Sequence, residues 1–166
     1  LTDAYRNATD EAFNLIISGA TDYNTAIRRA CAKLISEGIQ SIDYNSGIHT
    51  SLEAAIRRNM MGGLGLLVEQ ISERNHDDLG ADGWEISAHA ASAPDHEPIQ
   101  GRQYSDEAYQ RLNNSLHRRI GTLNCGHNAF PIILGVNAPQ HTQLELGRLR
   151  DDNTRGVDYE GRHFDT

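Results

Sequence analysis

The stretch from Leu52 to Ile71 constrains this chain more than any other. Leu52, Ile56, Met60, Leu64, Leu67 and Ile71 recur at helical spacing, so a long helix must lay an apolar stripe against something. Its opening, Thr50-Ser51-Leu52-Glu53, reads as a capping box with Thr50 as the cap. Gly62, Gly63 and Gly65 interrupt the middle. Each glycine costs about 1 kcal/mol in a helix interior relative to alanine. Close backbone packing, or a kink, is the reading that accounts for them. The string GGLG has neither the lysine of a P-loop nor the spacing of a dinucleotide fingerprint, so it carries no phosphate site.

The flanking segments supply the rest of the fold. Thr9 or Asp10 could cap a first helix carrying Ala12, Phe13, Ile16 and Ile17, stopped by Gly19. Asp22 precedes a second helix, with Ile27, Ala30, Leu34 and Ile35 at helical spacing, ending near Gly38. Ile39 to Tyr44 reads as a short strand, followed by the turn residues Asn45-Ser46-Gly47. Gly83 to His89 alternates as a half-buried strand, with Trp84, Ile86 and Ala88 on one face and Glu85, Ser87 and His89 on the other. A loop over 90–101 follows, then a helix from Ser105 to Arg118 with Ala108, Leu112 and Leu116 inward. After a polar loop over 121–128, Pro131 to Val136 reads as a strand. Beyond Pro139 the chain is rich in Asp and Arg and reads as an extended arm. The sum is an α+β fold: N-terminal helices and one long helix packed on a small β-sheet, with an extended C-terminal arm. The expected divisions are a helical segment over 1–38, an α+β domain over 39–140 and the arm over 141–166.

Composition excludes several classes. With 166 residues the chain is long enough for a real core, yet only 38% of it is hydrophobic, below the usual range of about 45–50% even allowing for glycine being counted in that range. No run approaches the ~18 apolar residues of a membrane span. The start, LTDAYRNATDEAF, has no basic-then-apolar leader, and its Leu1 suggests a chain that begins inside a longer protein. Fifteen Lys+Arg against 23 Asp+Glu give −8, the wrong sign for general nucleic-acid binding. Two cysteines, Cys31 and Cys125, make no disulfide scaffold; free thiols in a reducing compartment are expected, with Cys31 a small core residue.

Eight histidines point to chemistry, and the informative ones gather in the second half. His89, His96, Cys125 and His127 form a complete tetrahedral set for zinc, one thiolate and three imidazoles. The same residues suit a Cys-His nucleophile, with Cys125 attacking, a histidine such as His96 as base, and Glu85 or Asp95 orienting it. They equally suit a buried hydrogen-bond network that pins two loops to the sheet. Arg57 or Arg58 could brace such a polar site, although surface ion pairs are the simpler role. His49, His76, His117, His141 and His163 read as surface residues, and Trp84 as a core anchor.

Four strings carry a resemblance: IDYNSGIHTSLEAAIRR, WEISAHAASAPDHEPIQGRQYS, NCGHNAFPIILG and DYEGRHF. From about Ile42 onward the chain resembles the phage minor capsid protein 2 family, relatives of the Mu F-like minor head proteins of tailed phages and prophages. The pattern falls on Ser87, His89, Pro94, His96, Gln100, Gly101, Asn124, Cys125, His127 and Pro131. Gln100, Gly101, Asn124 and Pro131 are its structural positions. Where the family has an arginine between the cysteine and histidine this chain has Gly126, and the stretch from Ala91 to Pro94 lacks a second family arginine. The segment from Leu1 to about Gly38 falls mostly outside the resemblance and reads as a docking surface or as part of the same core. The end at Thr166 suggests an incomplete part of a larger head protein. The resemblance implies a virion component assembled in the host bacterial cytoplasm, with contacts to the portal or major capsid protein, transient contact with DNA, and none with membrane. Some relatives carry toxin domains, so a hydrolase or toxin-like effector using the His/Cys site, with or without zinc, is the alternative.

Overall fold

The structure is a computed structural model and describes residues 2–122 and 125–164. It is α+β, and it divides into two compact units, residues 1–64 and 65–166. The sequence suggested seams near 38 and 140; the observed seam lies inside the long helix.

The first unit contains α1 (Thr2–Ile17), α2 (Tyr23–Ser36), the strands β1 (Ser41–Asp43) and β2 (His49–Ser51), and the opening turns of α3 (Leu52–Leu79). α1 starts well before the expected cap. Thr9 lies within it, buried, and its hydroxyl donates back to the Tyr5 and Arg6 carbonyls at 3.0 and 2.9 Å. α2 begins as read: Asp22 Oδ1 accepts the Thr25 N–H at 3.0 Å. It ends on Gly38, whose φ of +83° turns the chain so that Ile39 N–H reaches Leu34 O and Gly38 N–H reaches Ile35 O, both at 2.9 Å. Ala8, Ala12, Ala26, Ile27, Ala30, Leu34, Leu52, Ile56 and Met60 form the core. The alanines let the helices approach closely, and burial of each larger aliphatic chain contributes about 1.5–3 kcal/mol. Cys31 packs against that core.

β1 and β2 pair antiparallel, Ile42 opposite Thr50. Thr50 is therefore a strand residue, and the capping role passes one position on: Ser51 Oγ accepts the Ala54 N–H at 3.3 Å. Arg57 is held by Glu53 at 2.8 Å and by Asn24 at 3.1 Å, with its guanidinium over the Tyr23 ring. Arg58 is exposed. The contacts of Arg57 are those of a surface residue.

In the second unit a three-stranded antiparallel sheet runs in the order β4 (Gln103–Ser105), β3 (Gly83–Ile86), β5 (Ala129–Ile132). β3 is central, and all of Gly83, Trp84, Glu85 and Ile86 are buried, where alternation had suggested one wet face. Trp84 lies opposite Tyr104 on one side and Pro131 on the other. It also stacks between His76 and Tyr109, at centroid distances of 4.8 and 5.3 Å.

The second half of α3 departs from the expected stripe. Ile71 is 52% exposed, while Ser72 is buried. The cause is Gly65: a Cβ there would overlap the Gly121 carbonyl oxygen, so the helix backbone itself is the contact and small residues face inward. α4 (Asp106–Ser115) starts at a Ser105 cap. Ala108, Leu112 and Leu116 are only half-buried; the buried residue of α4 is Asn113, whose Oδ1 accepts the Ile120 N–H at 2.8 Å. The segment expected as an arm instead folds into α5 (Gln143–Arg155), opened by a full capping box of Thr142 and Glu145, and a hairpin of β6 (Val157–Tyr159) and β7 (Arg162–Phe164). Leu146 of α5 is buried against Gly101.

Candidate functional site

Two loops of the second unit bring the polar residues together. The first leaves β3. Helical turns over 93–100 place His96 and Gln100 four residues apart on the same inward side, at 0% and 3% exposure. α5 props this loop: Arg150 pairs with Glu97 at 3.3 Å, and Asn153 Oδ1 accepts the Ala91 N–H. The second loop joins α4 to β5. There Gly126, at φ +76°, folds the chain back so that His127 N–H donates to the Cys125 Sγ at 3.3 Å. Gly121 N–H donates to the same sulfur at 3.2 Å.

His96, Cys125 and His127 converge: one ring nitrogen from each histidine and the sulfur all lie within 4.8 Å of one another, and all three residues are buried. Cys125 Sγ is 3.9 Å from His127 Nδ1. The His127 ring lies 5.3 Å from that of His96, edge-on, and 4.1 Å from that of His89. Burial, and then the neighbouring His89 and His96, push His127 down to about 4, so its ring is neutral across the physiological range.

His89, the other histidine of the expected set, is not part of this convergence. Its Nδ1 faces the Ala90 carbonyl at 2.7 Å and its Nε2 the Cys125 carbonyl at 3.2 Å. It ties the two loops by backbone contacts. Glu85, expected to orient a base, is buried elsewhere on the sheet. One oxygen accepts the Gln103 side-chain amide and the other the Gln140 backbone N–H, both at 2.8 Å. Pro131 sits in β5 beside Trp84. Asn124 lies outside the described residues.

His76 is the residue that sequence reasoning misplaced. It is not a free surface side chain: it stacks on Trp84, and its Nε2 meets Asp106 Oδ1 at 2.8 Å. No spacing rule signals this, because α3, β3 and α4 meet only in the fold.

The family model described as phage minor capsid protein 2 matches residues 1–162. The chain belongs to the phage minor capsid protein 2 family. No curated protein and no solved structure matches it. The match begins at residue 1, so the helices α1 and α2 fall within the family region, where the sequence resemblance had started near Ile42. Gln100 and Gly101 acquire roles here: Gln100 bridges His89 and His127, and Gly101 leaves room for Leu146. A groove of about 260 Å³ beside Trp84 is lined by Glu69, Glu73, His76, Tyr109 and Arg119, and by none of His96, Cys125 and His127. No helix among the described residues is long and apolar enough to cross a membrane.

Proposed function

We propose that this member of the family serves as a structural component of the phage head, assembled in the host cytoplasm and held in the virion by contacts with the portal or the major capsid protein. The observation that carries this reading is the family match across residues 1–162. Two features support it. The turn after β5 leaves Ile133, Leu134 and Val136 exposed, Val136 at 75%, and neighbouring apolar side chains in water favour a protein contact. The formal charge of −8 favours protein over DNA as the lasting partner, with DNA met only in passage. An enzymatic use of the thiol has only the 3.9 Å approach of Cys125 to His127 in its favour, and the burial of both residues works against a substrate reaching them.

The test compares heads purified from the parent phage and from a deletion of this gene. The expected result is the protein present in parental heads at low copy, cross-linked to portal or major capsid protein, with malformed or non-infectious heads after deletion. Parental heads that contain none of it would overturn the proposal.

A further inference from the structure

The hydrogen bonds around the His/Cys cluster fix its protonation pattern. The His89 backbone N–H donates to Gln100 Oε1 at 3.1 Å, which sets which end of that amide is oxygen. His127 Nε2, 3.1 Å from the same oxygen, must then carry its proton and donate. Its Nδ1 keeps the lone pair. His96 Nε2 lies 2.8 Å from the Arg118 carbonyl and 3.7 Å from the Asp95 carboxylate, both acceptors, so it too carries the proton. His96 Nδ1 is left with its lone pair, fully buried, and has no hydrogen-bond partner among the described residues. A buried acceptor left unmatched in this way costs free energy that something should recover.

The sulfur completes the pattern. Two backbone N–H groups, from Gly121 and His127, point at Cys125 Sγ at 3.2 and 3.3 Å, so the sulfur serves first as an acceptor. The competing thiol contact, to the His127 carbonyl, is 3.8 Å long. Two imidazole lone pairs and one amide-supported sulfur therefore face a common point, each imidazole held from behind by an oxygen acceptor. That is the outer support metal-binding histidines ordinarily have.

We infer that His96 Nδ1, Cys125 Sγ and His127 Nδ1 bind one divalent zinc ion, which clips the loop after β3 to the loop before β5. Mixed sulfur and nitrogen donors select zinc over magnesium or calcium. Ordinary Zn–N and Zn–S lengths imply ligand separations of about 3.4–3.6 Å in a tetrahedron. The observed 3.9 Å, and the overall limit of 4.8 Å, come within reach of these by small side-chain rotations. The fourth position falls to water or to a turned His89.

The test is elemental analysis of the purified full chain, with cobalt titration of chelator-treated protein as a second readout. About one zinc per chain is expected, with a lower melting temperature after chelation. Cobalt should give the visible bands of a tetrahedral site and a thiolate charge-transfer band. Cys125→Ser should abolish the charge-transfer band. Gln100→Ala, which spares all three ligands, should weaken metal affinity by about 10–100-fold. If chelator-treated chain keeps its circular dichroism and gives no thiolate–cobalt band, and the purified chain holds no stoichiometric metal, the inference is overturned. The readouts concern the isolated chain and stand apart from its incorporation into heads.

Discussion

At the scale of single residues, this chain is governed by where a side chain is absent. Gly62, Gly63 and Gly65 look alike in the sequence, yet they meet different surroundings. A Cβ at Gly62 would meet nothing within 4 Å; one at Gly63 would press on the Phe13 ring at 2.9 Å; one at Gly65 would overlap a backbone carbonyl. The substitutions should therefore differ in sign. Gly62→Ala should stabilise the chain by about 0.8–1 kcal/mol, the helix-propensity difference. Gly65→Ala should destabilise it by about 1–3 kcal/mol, because the Gly121 backbone cannot step aside as a flexible side chain can. Urea midpoints of the two variants check this; equal shifts would contradict the packing account. Close packing was legible in the sequence as a class of explanation, but not its assignment to Gly65. The same holds at the polar site. The cluster of His96, Cys125 and His127 could be named from spacing, whereas the diversion of His89 to the Ala90 and Cys125 carbonyls depends on a loop path no local pattern encodes.

At the scale of elements, the helices with a cap and a strong apolar face were legible, as were the strands β1, β3 and β5, whereas β2 and β4 were not. α2 follows from Asp22 and Gly38. β2 and β4 have three residues each, too few to show alternation, and they exist because a neighbouring strand supplies the ladder. α5 was missed for a different reason: its only buried residue is Leu146, so it lacks a periodic stripe, and its start is set by a capping box. That makes α5 unusually dependent on its cap. Thr142→Ala should cost about 1 kcal/mol of local stability. The cap also depends on pH. The Thr142 backbone N–H first, and its hydroxyl second, hold the Glu145 carboxyl below its ordinary value of 4.5. A carboxylate depressed on folding contributes its stability fully above the unfolded value and loses it as pH falls through the lower folded value. Amide-exchange protection factors along α5 should therefore hold down to about pH 5 and decline below about pH 4. In Glu145→Gln that decline should be smaller. A decline of the same size in both proteins would assign the effect to other carboxylates.

At the scale of the whole molecule, charge decides what the chain can hold. The family region takes in nearly all of it, and under the proposed function the chain meets packaged DNA only in passage. Proximity does not require affinity. Nonspecific duplex binding is driven by release of counterions as lysines and arginines neutralise phosphates, and even basic proteins reach only about 10⁻⁴–10⁻⁶ M at physiological salt. Here 15 basic side chains stand against 23 acidic ones. Several of the basic ones are already paired: Lys33 with Glu11, Arg57 with Glu53, Arg118 with Asp95, Arg119 with Glu69 and Arg150 with Glu97. A duplex would have to displace these carboxylates while also meeting the repulsion of the rest. Fluorescence anisotropy of a labelled duplex should therefore show half-saturation beyond about 10⁻⁴ M at physiological salt, with little gain at low salt. Lower ionic strength strengthens the general repulsion together with any local attraction. Tight binding that weakens steeply with added salt would reveal a concentrated cationic face despite the net charge, and DNA would then replace a protein as the lasting partner. Weak binding of this kind would support the proposed reading, in which other head proteins rather than DNA hold the chain in place.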